Sequence, residues 1–175
     1  MSVRLFAALE LPDAARLPLA AWAAALPEDP ALRIVPAENL HVTLVFLGAQ
    51  DPADADALAA AVGSAARPLP ALTVTGSAWL PARRPGVLVA DLAAPDELVE
   101  LHAGLLGALA SWHEPEARPL RPHVTVARVR RGQRPRIVAP EMPSLSFAAS
   151  ALVLYRSQPT RGGVRYEPLA RFALA

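Results

Sequence analysis

Runs of apolar residues, some alternating and some continuous, mark most of the regular elements of this 175-residue chain. Residues 3–10 read as a buried strand that Pro12 closes. The Ala- and Leu-rich segment 14–26 predicts a helix, which Pro18 is expected either to kink or to open from within its first turn. Residues 41–47, His-Val-Thr-Leu-Val-Phe-Leu, predict a second strand ending at Gly48. Asp51-Pro52 then supplies a cap and a first-turn proline for a helix to about residue 66. Strands are expected at 72–79 and 87–92, flanking the turn-rich stretch 81–86. A helix over about 95–112 follows, because Leu98, Leu101, Leu105, Leu109 and Trp112 share one face and Asp96 and Glu97 suit its positive N-terminal end. Further strands are expected at 123–130, 151–156 and 165–173, with the Arg- and Pro-rich 131–144 as a long loop.

Strands and helices interleaved in this order, with several strand pairs close in sequence, predict an α+β fold with mainly antiparallel sheets. One pattern stands above the rest. His41-Val42-Thr43-Leu44 recurs as His123-Val124-Thr125-Val126, each copy beginning a strand after a proline-containing approach. Alternation puts His41 and Thr43 on one face and Val42, Leu44 and Phe46 on the other, so Phe46 is expected in the core. It likewise sets His123 and Thr125 against Val124 and Val126. Two related halves, each donating an imidazole and a hydroxyl to one cleft, are the simplest reading.

Composition narrows the chemistry. The formal net charge is +1, so attraction to phosphate must come from a local patch rather than from the whole chain. All seventeen basic residues are arginines, whose planar donor fork suits phosphate, although most are expected to reflect compositional bias. The absence of cysteine excludes disulfides, thiol nucleophiles and thiolate metal sites. The N-terminal apolar run is cut at Glu10, a poor signal peptide, and no stretch reaches the ~20 apolar residues of a membrane span. A cytoplasmic protein without a membrane partner is expected. His102 and His113, eleven residues apart on one expected helix, would lie about 16 Å apart and could not share an ion. Trp22, Trp79 and Trp112 are core by default, with Trp79 kept open as a base-stacking surface because its strand ends at the Arg-rich turn.

Opening a cyclic phosphodiester with water requires a base for the attacking water, an acid for the departing sugar oxygen and donors for the phosphoryl oxygens. Two histidines, titrating near neutrality, and two threonine hydroxyls supply these parts without a metal or other cofactor. A single His-x-Thr carries little information; two copies in matching contexts carry much more.

The two motifs resemble the signature of the 2H phosphoesterase superfamily, and more closely its RNA 2′,3′-cyclic phosphodiesterase (2′-5′ RNA ligase-like) branch. The segments that carry the resemblance are Arg4–Leu9, Pro36–Gly48, Arg121–Arg128, Tyr155-Arg156-Ser157 and Tyr166–Leu169, so it spans nearly the whole chain. It implies one bilobal domain over 1–175, two mainly antiparallel sheets with outer helices, and a pseudo-twofold axis through a central cleft. It also implies hydrolysis of RNA 2′,3′-cyclic phosphate ends to 2′-phosphomonoesters, with weak reversible 2′-5′ ligation in some relatives. RNA ends or related nucleotides are then the partners, and no obligate protein partner is implied. The resemblance assigns the base to His123 and the acid to His41, and gives Arg128 a role at the phosphate beside Thr43 and Thr125. Strict alternation, however, turns Arg128 away from His123, so that role requires a bulge. Leu120 and Val89 stand where many relatives carry aromatics, which leaves the base-stacking surface unassigned. Arg134 and Arg136 are expected to be solvated loop residues. Two other functions remain open: phosphodiesterase action on a different cyclic or 2′-5′ nucleotide, and a non-catalytic RNA-binding module.

Overall fold

In a computed structural model, which describes residues 1–114 and 116–174, two sets of antiparallel strands meet at a single backbone pairing. The strands are β1 (Val3–Glu10), β2 (Leu32–Ile34), β3 (His41–Gln50), β4 (Leu72–Leu80), β5 (Val87–Leu92), β6 (His123–Val129), β7 (Ser146–Phe147), β8 (Ala151–Thr160) and β9 (Gly163–Ala173). The helices are α1 (Asp13–Ala24), α2 (Ala55–Ser64) and α3 (Asp96–Ala108). The strand order is β7-β4-β5-β6-β3-β1-β8-β9, with β2 added beside β6. Every pairing is antiparallel, and β3 joins β6 only through Val42 opposite Val124. Four strands run outward on each side of that seam, β3-β1-β8-β9 on one and β6-β5-β4-β7 on the other.

The core lies on the helix-covered face. Leu5, Ala7 and Leu9 of β1, Leu152 and Leu154 of β8, and Val124 and Val126 of β6 are buried against Leu98, Leu101 and Leu105 of α3 and the apolar faces of α1 and α2. The expected apolar stripe of α3 is present: Leu98, Leu101, Leu105 and Leu109 are fully buried. The helix itself stops at Ala108, short of Trp112, and His113 lies beyond it, so the expectation that His102 and His113 share one helix is corrected. Pro18 sits inside α1 without ending it. Its missing donor faces an exposed side of the helix, where water can reach the carbonyl left over. The helix expected from 51 splits into a 3₁₀ turn (Pro52–Asp54), capped by Asp51 on the Ala53 amide at 2.9 Å, and α2.

Three strands outrun their expected ends for a physical reason. β3 passes Gly48, which takes φ +69° at a register shift opposite Leu5–Phe6, a bulge that a residue without a side chain accommodates. β8 and β9 extend to Thr160 and from Gly163, closing a hairpin whose turn swings toward β2. The short β2 lacks any run long enough to show periodicity. Residues 131–144 hold no helix or strand, as expected, and the loop is pinned where Asp29 accepts the Arg136 amide at 2.6 Å and Trp22 donates to the Glu141 carbonyl at 3.0 Å.

Candidate active site

The two His-x-Thr strands lie side by side and run in opposite directions, so each histidine faces the threonine end of the other motif across the Val42–Val124 pairing. Val42 and Val124 are fully buried on the helix side, which turns His41, Thr43, His123 and Thr125 to the opposite, half-open face. Each histidine is opposite a carboxylate already neutralised by an arginine. Glu10 pairs with His41 in register and with Arg171 at 2.7 Å; Asp91 pairs with His123 in register and holds Arg121 at 2.7 and 3.0 Å.

Both rings are fixed in the same way. His41 Nδ1 donates to the Asn39 carbonyl at 2.7 Å, and His123 Nδ1 donates to the Arg121 carbonyl at 2.8 Å. A carbonyl only accepts, so the neutral ring in each case presents a lone pair at Nε2 to the cleft. The residues offering those carbonyls are themselves anchored, Asn39 by a side-chain bond to the Val164 carbonyl at 2.9 Å and Arg121 by Asp91. The surroundings then differ. Thr43 Oγ1 lies 2.9 Å from His41 Nε2. His41 is also enclosed by aromatic rings: Phe6 at 5.0 Å, Tyr166 edge-on at 5.1 Å and Tyr155 at 6.2 Å between centroids. Burial holds the His41 pKa down to about 4, with the Asn39 bond opposing the shift and the charges of Arg128 and His123 adding to it. Tyr155 is pushed up to about 12, chiefly by burial and then by Glu10, and stays a neutral phenol.

Matching bulges interrupt both strands. On β3, Ala8 is opposite Thr43 and Ala7 opposite Val45, so Leu44 is the extra residue; on β6, Val89 is opposite Thr125 and Leu88 opposite Ala127, so Val126 is extra. Past each bulge the alternation is inverted. Arg128 thereby turns to the face of His123 and Thr125 and comes close enough to His41 for its charge to act on that ring. Phe46, expected in the core, is instead 64% exposed on the cleft face, 6.2 Å from Phe6; this corrects the alternation argument by the same bulge. Phe46 and Arg128 stand five residues after their histidines, and that shared offset is the signal that could have exposed Phe46 in the sequence.

A cavity of about 770 Å³ opens beside Thr43 and His123, walled by Phe46, Leu80, Pro81, Leu106 and Leu120 among others. His102 and His113 also line it; burial lowers the pKa of His102, while its backbone contact at Leu44 opposes the shift. Trp79 does not line it and packs partly buried against the core, which corrects its base-stacking reading. Among the described residues no three His, Cys, Asp or Glu side chains converge as a metal site, and no helix is long and apolar enough to cross a membrane.

Residues 11–161 match the family described as the 2′-5′ RNA ligase superfamily. The chain belongs to that superfamily, a branch of the 2H phosphoesterases. It is 32% identical over 179 residues to RNA 2′,3′-cyclic phosphodiesterase from Escherichia coli K12, covering 98% of this chain and 96% of the relative. Escherichia coli LigT complexed with 3′-AMP superposes with a TM-score of 0.82 at 32% identity, covering 100% of this chain and 99% of LigT. TT0787 of Thermus thermophilus superposes with a TM-score of 0.77 at 26% identity, over 98% and 97% of the two chains. The seam, the paired motifs and the cleft are therefore features of a 2H phosphoesterase.

Proposed function

We propose that this 2H phosphoesterase opens the 2′,3′-cyclic phosphate at the end of an RNA chain to a 2′-phosphomonoester, without a metal. The observation that carries the reading is the convergence of two identically tethered imidazoles on one cleft face, each beside a threonine. The Escherichia coli relative of similar length is an RNA 2′,3′-cyclic phosphodiesterase, which supports the same substrate here. In this reading the Thr43 and Thr125 hydroxyls and the Arg128 guanidinium hold the non-bridging phosphoryl oxygens. His123 Nε2 takes a proton from water as its oxygen attacks phosphorus. The P–O3′ bond breaks, and O3′ leaves with the proton of His41. Water is consumed, the two imidazoles exchange protonation states, and solvent restores them.

The family assignment of His41 as acid requires the buried ring to take up its proton together with the anionic phosphate, whose charge offsets the burial that keeps it neutral in the free protein. The terminal nucleoside occupies the cavity beside His123, its base against the exposed face of Phe46. Run backward with a 5′-hydroxyl strand in place of water, the same geometry joins ends through a 2′-5′ bond.

The test is a short RNA ending in 2′,3′-cyclic phosphate, incubated with the protein in excess chelator, with the product phosphate located by chromatography against standards. The expected product carries a 2′-phosphate at a rate the chelator does not change. A 3′-phosphate would overturn the leaving-group assignment, and loss of activity in chelator would overturn the metal-free mechanism.

A further inference from the structure

The strand face that carries the two histidines continues along β6 past His123 to Arg128, away from the cavity. There β2 lies beside β6 with Leu32 opposite Val129, Arg33 opposite Arg128 and Ile34 opposite Ala127. Directly opposed residues of an antiparallel pair project from the same face, about 5 Å apart at the backbone. Arg33 thus stands on the cleft face next to Arg128. Two like charges in that position destabilise the pairing unless an anion lies between or above them. Among the described residues no carboxylate supplies one. The ion-paired arginines there are Arg16, Arg67, Arg118, Arg121 and Arg171; Arg33 and Arg128 have no carboxylate partner and donate no side-chain hydrogen bond. Arg33 is exposed, and its Nη1 reaches toward Gly163 in the β8–β9 turn, where a Cβ would lie 3.9 Å away. The turn belongs to the strand set of His41 and β2 to that of His123, so the guanidinium lies between the two sets.

We infer that Arg33 forms a second phosphate subsite, which takes the phosphodiester linking the terminal nucleoside to the preceding nucleotide of the RNA chain. The inference rests on the proposed reaction for the position of the terminal phosphate. One cyclic phosphate is fully served by Thr43, Thr125 and Arg128, which leaves Arg33 with nothing to bind on a mononucleotide. A chain brings a second anion to the same end of the site. Arg33 therefore separates an RNA end from a free cyclic nucleotide, a discrimination that neither the histidines nor the nucleoside cavity provides.

Binding tests this without turnover. Dissociation constants are measured for a short RNA ending in 2′-phosphate and for the matching 2′-mononucleotide, over a range of salt, with the wild type, Arg33→Gln and Arg33→Lys. Arg33→Gln is expected to weaken the RNA about 10-fold, to leave the mononucleotide unchanged, and to reduce the salt slope by about 0.7, the value for one phosphate contact on a single strand. Arg33→Lys should retain most of that slope. A methylphosphonate at the last internucleotide linkage should weaken wild-type binding to the same extent and remove any further effect of Arg33→Gln. Equal loss for RNA and mononucleotide, or an unchanged slope, would overturn the subsite. RNA binding that depends on Arg33 in a protein unable to open cyclic phosphates would keep the subsite and remove the proposed reaction.

Discussion

The two strand sets that meet at Val42–Val124 are alike in backbone and unlike in what they place around their histidines. Each begins its inner strand with His-x-Thr, tethers Nδ1 to the carbonyl two residues earlier, neutralises the carboxylate opposite with an arginine, and bulges after the threonine. Five residues past its histidine one strand presents Phe46 and the other Arg128. Because the strands are antiparallel, Phe46 reaches the His123 end of the cleft and Arg128 the His41 end. His41 is boxed by Phe6, Tyr155 and Tyr166, whereas His123 opens onto the cavity. In the proposed reaction the duplicated frame supplies the symmetric parts, two proton carriers and two hydroxyls. Divergence at single positions supplies the asymmetric parts, a base surface at one end and cations at the other.

The comparison can be broken most severely at its symmetric part. His41→Ala and His123→Ala should each lower the single-turnover rate by roughly 10³ while the protein remains folded, because positioned acid–base groups contribute ~10²–10⁴ each. A variant that kept near-normal turnover would remove that strand set from the chemistry.

The asymmetric positions come next. Arg128→Gln should reduce kcat by about 10²-fold, since a guanidinium that holds developing phosphoryl charge acts in the transition state. Phe46→Ala should leave kcat nearly unchanged and raise KM by about 10-fold, the scale of one base–aromatic stack. Steady-state kinetics on one RNA substrate reads both, and a reversed pattern would exchange the two roles.

A smaller effect concerns the buried ring. With the folded His41 pKa at about 4 and an unfolded value of 6.5, the unfolded chain binds the proton first as the pH falls. Both forms are neutral above pH 6.5, so the contribution is absent there. Between 6.5 and 4 folding loses stability progressively, by about 3 kcal/mol at most. Urea unfolding of wild type and His41→Gln at pH 7.5 and 4.5 should show a steeper acid loss for the wild type; parallel losses would place the ring in a better-solvated setting than its aromatic box implies. Binding of a singly charged, non-titrating phosphodiester near pH 6 should take up a proton through His41, read by calorimetry in buffers of different ionisation enthalpy. Its absence would give the base role to His41.

Much of this arrangement is legible in the sequence, and the exceptions have a common cause. The strands at 3–10 and 87–92 and the apolar stripe of α3 follow from periodicity, because each is an uninterrupted run against the core. The repeated His-x-Thr marks both histidines and both threonines. Alternation misplaces Phe46 because a bulge is one inserted residue, invisible to a period of two, and it inverts the positions that follow until the next bulge. The same bulge on β6 is what the Arg128 role requires. β2 is silent because three residues carry no period, and with it the neighbour of Arg128 stays hidden. The tethering carbonyls of Asn39 and Arg121 are backbone groups, which no side-chain pattern announces.

The most direct test of the central claim, that the two strand sets build one catalytic unit, is the double variant His41→Ala/His123→Ala measured beside its parents in single turnover. Groups that act in one proton relay are strongly non-additive. The double variant should be little slower than either single one, within a few-fold. Losses that multiply, so that two effects of about 10³ become about 10⁶, would mean that the histidines act independently and would contradict the account.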